Sequence, residues 1–550
     1  NPSLTALEDL QNRMARVEEM LGVRNERTAE KEETPPAKLL GTLVVKGTRS
    51  VYHGQNDRVT LLNQVSNTHW FLDVKDFINN EVSKDEELQA AAKQVKFLQN
   101  KSQAKVSSPD VAEPDFSLAL LKLREFLPPK TYCDRLVGIY CQHFERTMRI
   151  LHIPTFMHQY EQIWANSNPD LCTSSSIIPQ VTAVLTMAYH MDDSIYINNG
   201  QPYRTYLRGA AIELIQAWLD ELGRKQRTEL TTLQVEILLL LSKSLGQLSP
   251  EKLWTSTGAL VRSGMMMGLH MNSSGNAKIT PYQSEMRRRL WATVLEIDLQ
   301  ASMHAGMPLV SPEFSLADLV PANIDDSEFD ESTTVLPPSR PLNIYTDNIY
   351  QVHLANCLPQ RLKALSLVHR SAPNIDEAID LGRQIEHHLS SKPPILSLST
   401  NSPNTTSGSI LHRVLLDVYL RRPLLYLYKP LIQDPTTTTH PEIHTHCLTS
   451  SLTILSYQSL FTPLALQTIT PNPTPLQTFF HRCCKADILW AALSTCQHIK
   501  TLRPSSRDCA ALVETVESTI QSLIARIDQK GSDVKDIVFL GLALQAVSQP

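Results

Sequence analysis

The stretch from Trp254 to Pro308 constrains this chain more than any other, because apolar residues recur at helical spacing on both sides of one short polar turn. Trp254, Gly258, Val261, Met265 and Leu269 recur in steps of four or three, which draws one apolar stripe along a helix expected from Pro250 to Met271. Gly264 and Gly268 lie four apart on it. A glycine inside a helix costs about 1 kcal/mol against alanine, so two of them imply that another backbone packs close. A second helix, expected from Pro281 to Met303, puts Arg288, Trp291, Leu295 and Asp298 on one face, while Arg262 projects from the first. A buried carboxylate such as Asp298 needs a hydrogen-bonded cation, which Arg262 or Arg288 is placed to supply. The pair is expected to brace a core without chemistry of its own, since the sequence sets no catalytic base beside it.

Several short motifs stand in this region: Trp254, Gly258-Ala259, Arg262, Gly268-Leu269-His270, Glu285-Met286-Arg287-Arg288-Arg289-Leu290-Trp291, Asp298, Gly306-Met307-Pro308, and Asp318 with Pro321. In order and spacing they resemble the core signature of the fungal-specific transcription factor domain, the middle homology region of the fungal zinc-cluster regulators. The chain departs from that pattern at Met271-Asn272, where the family has a basic then an acidic residue, and at Met307, where it has arginine. Two further segments resemble the same family. Gly41 to Gly54, with Leu43-Val44-Val45, Arg49, Ser50 and Tyr52, is similar to its lead-in, and by itself reads as an irregular extended segment covering the core. In Arg149-Ile150-Leu151-His152-Ile153-Pro154-Thr155-Phe156 a helix ends at a proline and Thr155 is expected to cap the next one, with His152 a satisfied histidine at the junction.

Only 18 glycines in 550 residues, few alternating β-branched runs and many long apolar stripes at helical spacing predict an all-α protein. Its form is expected to be a large array of antiparallel helix pairs with long Ser/Thr/Pro-rich loops, preceded by a short coiled-coil helix. Leu7, Leu10, Met14, Val17 and Leu21 follow heptad a and d spacing, with Arg13 and Glu18 at flanking g and e positions. From pattern alone, one amphipathic helix docked on its own domain also fits; in the family such a segment pairs two chains. Residues 1–23 are therefore read as a dimerisation helix, 24–115 as linker and lead-in, and 116–550 as a helical regulatory domain whose signature is strongest over 140–325. Helices are expected over 118–127, 136–148, 181–191, 203–222, 231–245, 344–369, 376–389, 410–428, 447–461, 479–501, 509–529 and 534–547.

A net charge of −5 gives the chain no overall pull on nucleic acid. Apolar runs such as Ile237–Leu241 fall far short of the ~20 residues a membrane span needs. Nine cysteines without disulfide-like spacing point to a reducing compartment. His440, Glu442, His444, His446 and Cys447 are the one metal-like cluster, read as a polar loop running into a helix, and no metal site is expected there. Cys483-Cys484 reads as packing, and Asp192-Asp193 lacks the further carboxylates of a magnesium motif. Met265-Met266-Met267 reads as plastic core, with a pocket for an apolar effector as the second option. No catalytic motif is present, so no enzyme is expected. The resemblance implies a nuclear regulator of RNA polymerase II transcription, acting as a homodimer with transcription machinery or co-regulators and a small-molecule effector. It also implies DNA binding through a two-zinc, six-cysteine cluster, which no segment here supplies and which is expected upstream of residue 1. The alternatives are a stand-alone homologue serving as a dimeric scaffold, which a core without a cavity would favour, or an enzyme with an apolar pocket.

Overall fold

The computed structural model describes residues 42–53 except 48, isolated helical positions at 86, 89, 90 and 93, and most of 117–548. Within that last span the segments 166–175, 193–200, 247, 273–277, 310–318, 371–373, 399–406, 433–439, 468–472, 501, 503–505 and 527–533 lie outside the description. The heptad residues Leu7, Leu10, Met14, Val17 and Leu21 also lie outside the described residues.

The lead-in is not irregular. Strand β1 (Thr42–Lys46) pairs antiparallel with β2 (Arg49–His53), Thr42 opposite His53 and Lys46 opposite Arg49. The chain reverses between Lys46 and Arg49, with Gly47 in the left-handed region at φ 60°.

The body is built of helices α1 (Leu118–Glu125), α2 (Lys130–Tyr140), α3 (Ile153–Ala165), α4 (Ile177–Ala188), α5 (Gln201–Arg208), α6 (Ala210–Glu221), α7 (Leu230–Leu245), α8 (Pro250–Met266), α9 (Pro281–Ala305) and α10 (Ile349–Asn356). It continues through α11 (Leu358–Val368), α12 (Ile375–Ser390), α13 (Ser407–Ile432), α14 (Pro441–Leu460), α15 (Pro463–Gln467), α16 (Thr474–Cys483), α17 (Lys485–Ile499), α18 (Arg507–Ile524) and α19 (Val534–Ser548). The all-α expectation holds, with the hairpin as the one sheet among the described residues. Neighbours in sequence pack as pairs, α8 on α9 and α13 on α14, and one continuous apolar core runs from Ala119 to Leu544. Three expected helices are each two: 203–222 breaks at Gly209, 344–369 at Cys357 and 479–501 at Cys484. Helices α14 and α16 start earlier than their apolar stripes suggest, because a proline suits a helix's first turn: α14 opens on Pro441, and α16 carries Pro475 there. After α2 the backbone passes through a wider π-helical turn, Cys141–Glu145, and one last turn at Arg146–Met148.

Helix α9 is the centre. Every residue from Glu285 to Met303 except Arg288 is buried, so it has no polar face, and it carries its charges inward. Thr280 and Gln283 close a capping box at its start, with Pro281 in the first turn. Gly306, in the left-handed region at φ 65°, ends it.

Candidate functional site

The signature residues assemble around α8 and α9. Trp291 is fully buried, and a Cβ at Gly264 would stand 3.1 Å from its ring. The close neighbour at Gly264 is therefore an indole, not the expected backbone. Gly268 is not in the helix at all: α8 ends at Met266, and Gly268 sits beyond it at φ 70°, where a Cβ would collide with Leu43 of β1. The Trp254 indole donates to the Pro308 carbonyl at 2.9 Å, tying the start of α8 to the chain leaving α9. Gly258 and Leu269 are buried. Asp298 is buried too, and its Oδ1 accepts from Thr257 Oγ1 at 2.8 Å. Neither arginine expected beside it takes that place in the hydrogen bonds seen. Arg262 is exposed, and Arg288 donates to Glu285 Oε2 at 2.7 Å and Ser284 Oγ at 3.2 Å.

Arg287 clamps the hairpin. Its guanidinium donates to Ser50 Oγ at 2.6 Å and to the carbonyls of Met267 at 3.0 Å and Gly268 at 2.8 Å, while Ser50 donates to Met267 O at 2.7 Å. Burial among these neutral oxygens lowers the Arg287 pKa to about 10. His270 stacks edge-on against Tyr52 with ring centroids 4.6 Å apart, and burial holds its pKa down at about 4. The signature arginine and histidine thus serve the lead-in strand.

Beneath them lies a buried ion hub that the sequence did not reveal. Asp326 accepts from Arg289 Nη1 at 2.6 Å, from Arg149 Nη2 and from the Ile153 backbone at 3.1 Å. The two guanidiniums hold its carboxyl well below the usual range. Arg289 also donates to Glu285 Oε1 at 3.1 Å, which accepts the Ala322 backbone at 3.0 Å. Arg149 reaches Asp326 from a left-handed backbone at φ 50°, strained for a residue with a Cβ. His152 is satisfied, its Nε2 2.9 Å from the Asp326 carbonyl and its Nδ1 2.8 Å from Thr155 Oγ1. It also takes the capping role expected of Thr155. Helix α3 begins at Ile153, and the Thr155 backbone N–H donates to the His152 ring at 3.4 Å.

Below α8 and α9 lies an open cavity of about 650 Å³. Its walls include Phe144, Met148, Leu241, Leu245 and Trp490, and its floor is the second half of α9, with Glu296, Gln300 and His304. Ser249 and Pro250, at the exposed start of α8, form part of its rim. Polar groups on the floor are cross-linked. Arg361 grips Glu296 with two bonds of 2.9 and 2.7 Å, Gln300 donates to Glu296 at 2.5 Å, and Arg422 bonds Gln300 and, at 2.5 and 2.6 Å, both oxygens of Asp487. The methionines here are Met148 and Met187, not the Met265-Met266-Met267 run; Met266 is exposed and Met267 is buried against the hairpin.

The remaining candidates are absorbed by structure. His446 pairs with Glu386 and lies 3.7 Å from Glu442, which Arg383 holds by two 2.7 Å bonds; Arg383 and Glu386 sit on the expected helix α12, and Glu442 and His446 on α14, where a loop was expected. Asp192 accepts from Tyr132 and Arg135 at 3.0 Å. Among the described residues no group of three or more His, Cys, Asp or Glu side chains is placed to hold a metal ion. The described cysteines, such as buried Cys133, Cys357 and Cys496, are dispersed over different helices and do not fit a six-thiolate zinc cluster. No helix among the described residues is long and apolar enough to cross a membrane.

A family model described as "Fungal specific transcription factor domain" matches residues 137–370. The chain is 33% identical over 347 residues to "Transcription factor opdR" of Penicillium oxalicum, covering 60% of this chain and 42% of that protein. It is 30% identical over 310 residues to "Transcription factor lepE" of Aspergillus flavus (55% and 36%). With "Zn(2)-C6 fungal-type transcription factor mpsB" of Macrophomina phaseolina it shares 27% over 345 residues (61% and 45%). The chain thus spans less than half the length of each of these relatives, which are named as transcription factors and not as enzymes. No solved structure matches it. Residues 137–370, which contain α8, α9, the ion hub and the floor of the cavity, belong to the fungal specific transcription factor domain family.

Proposed function

We propose that this chain is the regulatory and dimerisation region of a fungal zinc-cluster transcription factor controlling RNA polymerase II transcription in the nucleus. The match of residues 137–370 to the family carries the reading, and the printed name of a Zn(2)-C6 relative supports the DNA-binding part of it. In this reading two copies pair through Leu7, Leu10, Met14, Val17 and Leu21. DNA is bound by a zinc cluster outside the 550 residues, and the helical body receives a small-molecule effector and contacts co-regulators. The cavity of about 650 Å³ weighs against a solid scaffold, because its size lies in the range of ligand sites.

The test is a reporter assay in a fungal host, with the chain fused to an unrelated DNA-binding domain upstream of an RNA polymerase II promoter. A severalfold rise or fall against the DNA-binding domain alone is expected. An unchanged reporter, with the fusion present in the nucleus, overturns the regulatory role.

A further inference from the structure

We propose that the cavity beneath α8 and α9 binds one uncharged, mainly apolar organic molecule carrying hydroxyl or carbonyl oxygens, which the ring nitrogens of His143 and His304 recognise by hydrogen bonds. The inference rests on the regulatory reading for its biological role, and on the cavity alone for its chemistry.

Size sets the first limit. About 650 Å³ equals the liquid volume of roughly 20 water molecules, which suits a drug-sized ligand. The walls are largely apolar, and burying apolar surface there supplies most of the affinity.

Charge sets the second. Lining carboxylates and cations already have counter-charges in place: Glu296 with Arg361, Arg422 with Asp487, and Lys485 with Asp536 at 2.9 Å. Arg482, the other lining cation, directs Nη1 to His190 Nδ1 at 2.7 Å and to the Leu245 carbonyl at 3.3 Å. An anion would have to draw Arg482 away from His190 and the Leu245 carbonyl, and a cation would have to take a carboxylate from its arginine or lysine.

The recognition groups are the third. His143 Nδ1 and His304 Nε2 are buried and have no hydrogen-bond partner in the protein. Buried polar atoms are rarely left so, because each costs the desolvation of an unmade bond. Desolvation keeps both imidazoles neutral, with pKa values of about 4 for His143 and about 3 for His304. A neutral ring nitrogen donates to or accepts from an uncharged oxygen, according to tautomer. The Trp490 ring, edge-on at 5.7 Å, helps to fix the His304 plane.

The proposal is tested with the purified 550-residue chain and Nile red, an uncharged dye with a carbonyl oxygen, titrated by fluorescence. The anionic dye anilinonaphthalene sulfonate serves as competitor. One saturable Nile red site per chain is expected, little displaced by the anion. Ala301→Phe, on the cavity wall, should abolish that site. His304→Phe, which keeps the ring but removes its nitrogens, should weaken it about tenfold, the effect of one lost buried hydrogen bond. Where Ala301→Phe alters the circular dichroism or melting point, Ser244→Phe from the α7 wall takes its place. Nile red binding indifferent to the filling variant, binding equal in His304→Phe, preference for the anion, or no saturable site on folded protein each overturns the proposal. No DNA enters the titration. Its failure leaves a positive reporter result standing, and a silent reporter leaves a positive titration standing.

Discussion

Asp326 concentrates more electrostatic consequence than any other side chain at the signature. With Asp326→Ala, Arg149 and Arg289 would keep their burial and lose a shared carboxylate, so a loss of about 3–5 kcal/mol is expected. Glu377→Ala, which breaks exposed pairs to Lys363 and Arg370, should cost less than about 1 kcal/mol. Urea denaturation of the two variants measures the contrast, and similar midpoints would contradict the hub. The histidines make a second prediction. Burial holds His143, His270 and His353 at about 4, and His304, His412 and His481 at about 3. Once unfolded, each takes up a proton below about pH 6.5, so the unfolded chain binds more protons and stability falls as pH falls. Glu145 and Glu236, pushed up to about 7 by burial, act the other way over the same interval. Six groups against two predict a net loss on acidification from pH 6.5 to 5, read by denaturation at each pH. His304→Phe should flatten that slope by up to about 1.4 kcal/mol per pH unit.

Among the elements, the hairpin is held by the Arg287 clamp, by its seat against Gly268 and His270, and by Arg49 bridging to Glu229. Gly268→Ala adds a left-handed alanine, which costs about 1–2 kcal/mol, and sets a methyl group into Leu43. It should free residues 42–53 while leaving the body folded. Trypsin cleavage at Lys46 and Arg49 would then accelerate severalfold at an unchanged melting temperature of the helices, whereas unchanged cleavage would show the clamp to be elsewhere. The α8–α9 pair was legible in the sequence because local periodicity and capping residues define it: Ser249 and Thr280 before prolines, and Gly306 after the last turn. The hairpin was not legible as one: its place over the core was expected, but five-residue strands leave little alternation to read and the segment read as irregular. The cavity and the hub were not legible. Their residues come from segments far apart in the chain, and no periodicity links Arg149 to Asp326 or His143 to His304.

For the whole molecule, α8 and α9 join two distant features. The 17-residue α8 is about 25 Å long, with cavity rim at its start and hairpin clamp just past its end. The hairpin in turn connects to residues 1–41, where the heptads lie. On the proposed pairing, removing residues 1–23 should convert a dimer to a monomer in sedimentation velocity at an unchanged melting temperature of the helical body, and a chain that stays dimeric would move the interface onto that body.

The hub also bears on how the protein is made. Arg149 and Asp326 are 177 residues apart, so at synthesis rates of about 5–20 residues per second the arginine waits roughly 9–35 s for its carboxylate to leave the ribosome. Through that interval α2, α4 and α7 can pack, but the strained turn at Arg149 has only nearby Glu145 as a counter-charge and lacks its direct partner Asp326. The first half of the domain is thus a nascent chain whose final lock arrives late.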